Sequence, residues 1–475
     1  MSTGTTTAAT TGRSKPESTP ELGRRATRGA VALVVLLALL KGVAWSLAIP
    51  PWEGPDEPQQ FAYVETLAVD GRVPAVADAR SARPGVAPEV ICSQHAHRFE
   101  IYLHDDSLCA AFRNGAGRHL DAPANPAATY FPLYYGVAVP FFDAAGAGGV
   151  ETRLHAVRSL SIILGGAAAA FTFLSALWAF AGRRDVALAA AAVYTLQPIA
   201  SQQFAVANND AMLAALTAAF FWRFFRALRV APTTWDAVLL AGLCALAYLA
   251  KQPGVLLAAL LPLPLIVWAL RRRLSGRMVA AQAATMVIVI AAAVIVGALG
   301  NLAWHATPLP QTGYSAPGDH SAHRYLQGLL DTRFDRIYWL WVASLWGNFD
   351  WYHVASPPAV FVAIAIAYAA AAVFFVVALV RRPDARLSLV CAAVAAGGYA
   401  AALQALEVYY FRLNGDLILQ GRSYLPVLPA AAILLVAGCA TLPRRGAHLL
   451  SATVAAAAVA LNVLSLFVLV DFFYG

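Results

Sequence analysis

Two adjacent carboxylates, Asp56 and Glu57, stand between Pro55 and Pro58 in the stretch from Pro50 to Leu67. Proline fixes φ and lacks an N–H, so an acidic pair bracketed in this way belongs to a chain turn and not to a strand or an established helix. A carboxylate in such a place can act as a general base toward a hydroxyl. It can equally do no more than cap a helix, because Asp56 followed three residues later by Gln59 fits a capping box. Phe61, Val64, Leu67 and Ala68 then share one face while Gln60, Tyr63 and Glu65 fall on others, which predicts an amphipathic helix.

Two cations far along the chain could complement such an acid. Lys251 precedes Gln252-Pro253-Gly254 at a corner between apolar runs. In Gln420-Gly421-Arg422-Ser423-Tyr424-Leu425-Pro426, Gly421 lets the backbone approach a ligand and Arg422 offers a planar donor fork suited to phosphate. An interfacial Arg/Tyr anchor would leave the same pattern. Asn208, Asn209 and Asp210 form a further polar corner, where the simple expectation for Asp210 is that it caps the span beginning there.

The elements that must hold these residues are membrane spans. Hydrophobic residues are 60% of 475 positions and charged residues only 13%, a balance that excludes a soluble globular domain. The net charge of +8 lies in short arginine clusters between apolar runs, so it reports topology and not nucleic-acid binding. A first span at 30–49 reads as a retained signal-anchor. Ten more follow near 155–180, 185–200, 210–228, 236–250, 253–270, 278–302, 357–380, 387–405, 424–442 and 448–471. The pattern predicts an all-α integral membrane protein of about eleven transmembrane helices with an extracytoplasmic cap of short amphipathic helices. Arg183/Arg184, Arg223/Arg226/Arg229, Arg271 to Arg273 with Arg277, Arg381/Arg382/Arg386 and Arg444/Arg445 all fall on the side of the N-terminus. Residues 1–28 are then a basic, disordered cytoplasmic tail, and 29–475 form one membrane domain with outer loops at 50–154 and 304–356. Every polar cluster not explained by topology lies on the outer face. Lys41 interrupts the first span and must snorkel, pair with an acid or face a polar cavity.

Other polar residues carry blander expectations. Cys92 and Cys109 share the first outer loop, where a disulfide would form under oxidising conditions, while Cys244, Cys391 and Cys439 read as small hydrophobes. His95, His97, His104, Asp105 and Asp106 make a His/Asp-rich patch without established ligand spacing, which points to a solvated loop. No metal site and no cofactor is required; a divalent cation between Asp56 and Glu57 is compatible with the residue types, although adjacent side chains rarely point the same way. The loop 304–356 holds His305, His320, His323, Asp331, Asp335 and Asp350 beside Trp339, Trp341, Trp346, Trp351 and Tyr352, a composition that suits sugar stacking and an interfacial belt alike. Residues 130–142 are too short and proline-containing to span, and predict a re-entrant or interfacial helix.

Taken in order, Pro55-Asp56-Glu57-Pro58, Thr129-Tyr130-Phe131-Pro132-Leu133-Tyr134-Tyr135, the Asn208-Asn209-Asp210 corner, the Lys251 corner and Gln420 to Pro426 resemble the C-type glycosyltransferase superfamily. The likeness is to bacterial membrane proteins related to the protein O-mannosyltransferase and aminoarabinose-transferase families, and it runs from about residue 30 to 445. It implies transfer of a sugar from a polyprenyl-phosphate carrier to a glycan, lipid or protein acceptor at the outer face of the plasma membrane. The catalytic carboxylate would be Asp56, with Glu57 adjoining. Lys251, Arg422, Gln420 and Tyr424 would hold the donor phosphate, and Asn208, Asn209, Asp210 and Tyr134 would contact substrate. Pro58 directly after the acids and the polar insertion from His95 to Asp121 depart from the better-studied members, and the first leaves open which acid is the base.

The chemistry fits such a role. An acceptor hydroxyl loses its proton to one carboxylate as it attacks the anomeric carbon, and the phosphate, whose second ionisation lies near a pKa of about 6, leaves without a paired acid. One displacement inverts the anomeric configuration. The rival class is a polytopic lipid or sugar-lipid flippase, which typically shows repeat symmetry and mid-bilayer ionisable residues; here Lys41 is the evident case and no repeat is visible.

Overall fold

The computed structural model describes residues 24–74, 126–303, 320–330, 344–349, 354–414 and 419–475. Its helices run α1 (Arg24–Ala48), α2 (Glu57–Asp70), α3 (Leu133–Ala144), α4 (Val150–Ala179), α5 (Arg184–Leu196), α6 (Pro198–Gln203), α7 (Asn209–Arg229) and α8 (Thr234–Ala250), then α9 (Pro262–Leu270), α10 (Gly276–Ala303), α11 (Ala322–Leu330), α12 (Ser344–Trp346), α13 (Pro358–Arg381), α14 (Pro383–Asn414), α15 (Leu428–Leu435) and α16 (Arg444–Tyr474). Short 3-10 segments join them at Pro126–Thr129, Gln252–Leu260, Gly421–Val427 and Ala437–Thr441. The strand content among the described residues is one antiparallel ladder, Asn348–Phe349 on Val354–Ala355.

The protein is an all-α integral membrane protein that crosses the bilayer several times. Among the described residues nine helical stretches are long and apolar enough to span. Two of the eleven expected spans fall on α5 and α8, of 13 and 17 residues, which are shorter than the roughly 20 residues a bilayer core requires. The polar tail expected over 1–28 is helical from Arg24 onward; the rest of it lies outside the described residues. So do Cys92, Cys109, the His95 to Asp106 patch and most of 304–356.

The core gathers around α7. Phe220, Phe221, Phe224 and Phe225 are fully buried there and pack edge-on and stacked against one another. Their neighbours on α4 and α5 are largely alanine, small enough to let helix backbones close around them. By contrast α10 and α13 present Ile288, Ile295, Val362, Ile366 and Val376 outward, an apolar surface that a bilayer would cover.

The arginine loops converge on one end of the bundle. Arg229 donates to the Ala179 and Asp384 carbonyls at 2.6 and 2.8 Å, and Arg382 to the Ala440 carbonyl at 2.6 Å. The Ala179 and Ala440 carbonyls lie at the C-terminal ends of their helical segments, where no intrahelical donor follows, and the bond to Asp384 ties α7 to the start of α14.

Lys41 has a structural explanation of the same kind. Pro198 interrupts the helix between α5 and α6 and cannot supply an N–H, so carbonyls in the last turn of α5 need other donors. Lys41 Nζ donates to the Thr195 carbonyl at 2.9 Å and to Ser201 Oγ at 3.2 Å. Asn462 of α16 donates to the Leu196 carbonyl at 2.9 Å and to Ser201 Oγ at 2.7 Å, and accepts from Trp45 Nε1 at 3.1 Å. A cation near a helix C-terminus also complements its dipole. Lys41 therefore neither snorkels nor pairs with an acid; it ties α1 to the break in the α5–α6 segment.

At the other end, α2 and α3 lie against each other and against α4. The face expected from sequence is buried at Phe61 and Val64 and half-buried at Leu67 and Ala68. Gln60 and Tyr63, expected on other faces, are buried too, because α3 covers them: Tyr63 stacks on Tyr135 with centroids 3.7 Å apart, and Tyr135 donates to Gln60 at 2.6 Å. The short proline-containing helix expected at 130–142 is α3, with Pro140 inside it.

Candidate active site

The turn that presents the acidic pair is held from beneath by a buried arginine. Arg158 of α4 donates from Nε and Nη2 to the two carboxylate oxygens of Glu57 at 2.8 and 2.6 Å, and both side chains are wholly inaccessible. The rest of the guanidinium donates to the carbonyls of Ser46, Ile49 and Pro50 at 2.8–2.9 Å, closing the C-terminus of α1. Glu57 also accepts from the backbone N–H groups of Ala207 at 2.8 Å and Trp52 at 3.1 Å. A buried ion pair persists only when its remaining donors and acceptors are met, and here they are. Glu57 thus joins α1, α4 and the segment before α7, and both its oxygens face protein.

That fixation holds two unusual backbone conformations. Trp52 and Asp56 have φ of 74° and 60°, a left-handed region that costs non-glycine residues about 1–3 kcal/mol and survives only where surroundings impose it. Gly54 between them touches Val206 so closely that a Cβ would come within 2.7 Å of a valine methyl. The outcome is that Asp56 points away from its neighbour. Its side chain makes no capping bond to α2, which overturns the capping box, and it forms an ion pair with Arg422 at 2.6 Å. The Asp56 side chain remains 27% accessible, against none for Glu57, so of the two only Asp56 can meet a ligand.

A second ion pair stands beside the first. Lys251, at the C-cap of α8, holds Asp210 in the first turn of α7 at 2.7 Å. The cap of α7 is Asn208, whose side chain accepts from the Ala211 N–H at 3.0 Å, so the capping role expected for Asp210 belongs to the residue two positions earlier. Asn209 is fully buried and turns toward the Ala250 carbonyl. Lys251 lies between spans; burial, the largest single influence, pushes its ammonium pKa down, while the Asp210 carboxylate and Tyr130 together push it up, and the net shift is upward. Arg422 interacts electrostatically with Asp56, Asp210 and Tyr130, and Lys251 with Asp210, Tyr130 and Arg422. The four charges are one cluster. The Tyr130 ring lies 5.5 Å from Lys251 Nζ, in cation–π range.

Gly254 makes the Lys251 corner tight: a Cβ there would fall on the Ala247 carbonyl, and the Gly254 N–H donates to the Lys251 carbonyl at 2.9 Å.

The remaining candidates divide. Tyr424 accepts from Gln404 at 2.7 Å, and Gln404 accepts from Tyr325 of α11 at 3.1 Å, so this tyrosine braces the segment carrying Arg422. Gln420 is the half-buried N-cap residue of that segment, with no side-chain cap bond. Tyr134 is fully buried, with its hydroxyl 3.3 Å from that of Ser161. Cys244, Cys391 and Cys439 are buried thiols, as expected of small hydrophobes. Among the described residues no three His, Cys, Asp or Glu side chains come together as metal ligands.

Sequence reasoning missed Arg158 and undervalued Tyr130. An arginine within the apolar part of the fourth helix, away from the basic loops, was the available signal for the first. Tyr130 shares the stretch Thr129 to Tyr135 with Tyr134 and Tyr135, and nothing local distinguishes it from them.

An apolar cleft of about 440 Å³ is lined by Gln197, Trp346, Ile364, Tyr368, Phe374 and Leu461. The α12 turn that carries Trp346 packs against the Gly421–Val427 segment that carries Arg422.

A family model described as "Predicted membrane protein (DUF2142)" matches residues 39–431. Comparison with curated proteins gives no match. Among solved structures, ArnT from Cupriavidus metallidurans in the apo state aligns with a TM-score of 0.47 at 16% identity, covering 91% of this chain and 64% of that one. The same protein bound to undecaprenyl phosphate aligns with a TM-score of 0.44 at 17% identity, covering 90% and 64%. The chain spans about 64% of the length of these structures.

Proposed function

The chain belongs to the DUF2142 family of predicted membrane proteins, and we propose that it is a membrane glycosyltransferase, moving a sugar from a polyprenyl-phosphate donor to an envelope acceptor at the outer membrane face. The observation that carries this reading is the cluster itself: Asp56 meets Arg422 at 2.6 Å across 366 residues of chain, beside Lys251 and Asp210. A partly accessible acid next to paired cations, at the end of the bundle opposite the arginine loops, is what attack at a lipid-phosphate sugar needs.

In this reading the donor phosphate draws Arg422 and Lys251 onto its oxygens and loosens the hold of Arg422 on Asp56. Asp56 then accepts the proton of the acceptor hydroxyl as that oxygen bonds to the anomeric carbon. The bond from that carbon to the phosphate oxygen breaks with inversion, and the charge gained by the leaving phosphate is held by the two cations. Glu57 takes no part in proton transfer, because its oxygens are engaged by Arg158, Trp52 and Ala207. The apolar cleft near Trp346 gives the prenyl chain a place outside water. No metal enters these steps, although a divalent cation at the phosphate is compatible with them. By the loop charges the N-terminus is cytoplasmic and the site and C-terminus are extracytoplasmic.

The test is release of free polyprenyl phosphate by purified protein in lipid, given a panel of polyprenyl-phosphate sugars and cell-envelope extract. Release should fall by roughly a hundredfold or more in Asp56→Asn. Arg422→Ala should lose turnover more than acceptor binding. Full release by Asp56→Asn would remove that residue as base, and movement of intact lipid without release would establish a flippase instead.

A further inference from the structure

Among the described residues Tyr130 is the aromatic side chain that meets Lys251, and it is rigidly placed. Its carbonyl accepts from the Tyr63 hydroxyl at 3.2 Å, and the next residue, Phe131, packs on Tyr248 of α8 with centroids 5.2 Å apart. Tyr63 is itself stacked on Tyr135. These contacts fix the Pro126–Thr129 turn and the start of α3 against α2 and α8, so the ring sits by construction over the corner that carries Lys251.

One face of the ring is taken by the Lys251 ammonium, which leaves the hydroxyl edge for a ligand. Tyr130 is only half-buried, and among the described residues its hydroxyl has no hydrogen-bond partner. Electrostatic interaction links it to Arg422 as well as to Lys251. A phenol that is held firmly, left unpartnered, set against Lys251 and within the electrostatic reach of Arg422 lies where an anion bound by both cations would place an oxygen. We infer that the Tyr130 hydroxyl is a third donor to the phosphate of the bound lipid, completing with Arg422 and Lys251 a three-sided cradle. A neutral donor suits this role. Arg422 and Lys251 already carry the charge opposite Asp56 and Asp210, and another cation would unbalance the cluster, whereas an O–H adds a directional bond to a free phosphate oxygen without adding charge.

The inference rests on the transferase reading, and one experiment separates the two. Full-length wild-type protein and Tyr130→Phe, in detergent micelles, are titrated with a polyprenyl monophosphate and with the matching unphosphorylated polyprenol. Phenylalanine keeps the ring over Lys251 and removes only the hydroxyl. Loss of a hydrogen bond to a charged ligand should weaken binding of the phosphate by roughly tenfold and leave the alcohol unchanged. Equal affinity of the two proteins for the phosphate overturns the inference, and so does an equal loss for both lipids, which would place Tyr130 on the prenyl chain. A wild-type protein that binds alcohol and phosphate alike overturns the transferase reading and the inference with it.

Discussion

Replacing Arg158 by methionine would leave Glu57 as a buried carboxylate without its counter-charge, together with the uncapped carbonyls of Ser46, Ile49 and Pro50. Removing one partner of a buried pair costs about 3–5 kcal/mol, so Arg158→Met should unfold in detergent at a markedly lower temperature than wild type. Glu57→Gln keeps the shape and one acceptor, and should lose less. Thermal unfolding followed by tryptophan fluorescence checks both, and an Arg158→Met protein as stable as wild type would show that the pair is not what holds the turn. The same comparison bears on chemistry: two residues adjacent in sequence have separate fates because the left-handed backbone at Asp56 swings one carboxylate out to Arg422 while Glu57 stays in to Arg158.

Among the elements, the corner joining α8 to the Gln252–Leu260 segment sets where Lys251 can stand. Gly254→Ala drives a methyl group into the Ala247 carbonyl, with no flexible side chain available to yield. Overpacking of this kind costs about 1–3 kcal/mol, and the backbone shift that relieves it moves Lys251 relative to Asp210. Under the proposed function, turnover should therefore fall in Gly254→Ala, while Gly242→Ala, at a position with open space around it, serves as the control. Turnover equal in both variants would mean that the corner does not position the cation. The Pro198 break works by the same logic: a helix interrupted inside the bundle is stable because side chains of α1 and α16 reach its freed carbonyls.

For the whole molecule, the arginine loops lie at one end and the acid–base cluster at the other, so sidedness can be measured directly. On a background lacking Cys92 and Cys109, Gly71→Cys just past α2 should react with a membrane-impermeant maleimide on intact cells. Arg444→Cys at the start of α16 should react only after permeabilisation. The reverse pattern would put the cluster in the cytoplasm and exclude an envelope acceptor. Cys244, Cys391 and Cys439 are buried and add little background.

The sequence by itself determined the membrane class, the places of the helices and the end at which polar chemistry gathers, because apolar run lengths and loop arginines are local and additive signals. It also singled out Asp56, Lys251 and Arg422 as chemistry-bearing types. What only the tertiary structure decided was who partners whom. Arg422 with Asp56, Lys251 with Asp210, Arg158 with Glu57 and Lys41 with a helix end each join residues distant in the chain. The sequence carries no signal for such pairings, since burial and backbone hand, set by the packing of several helices at once, choose the partner of each charge.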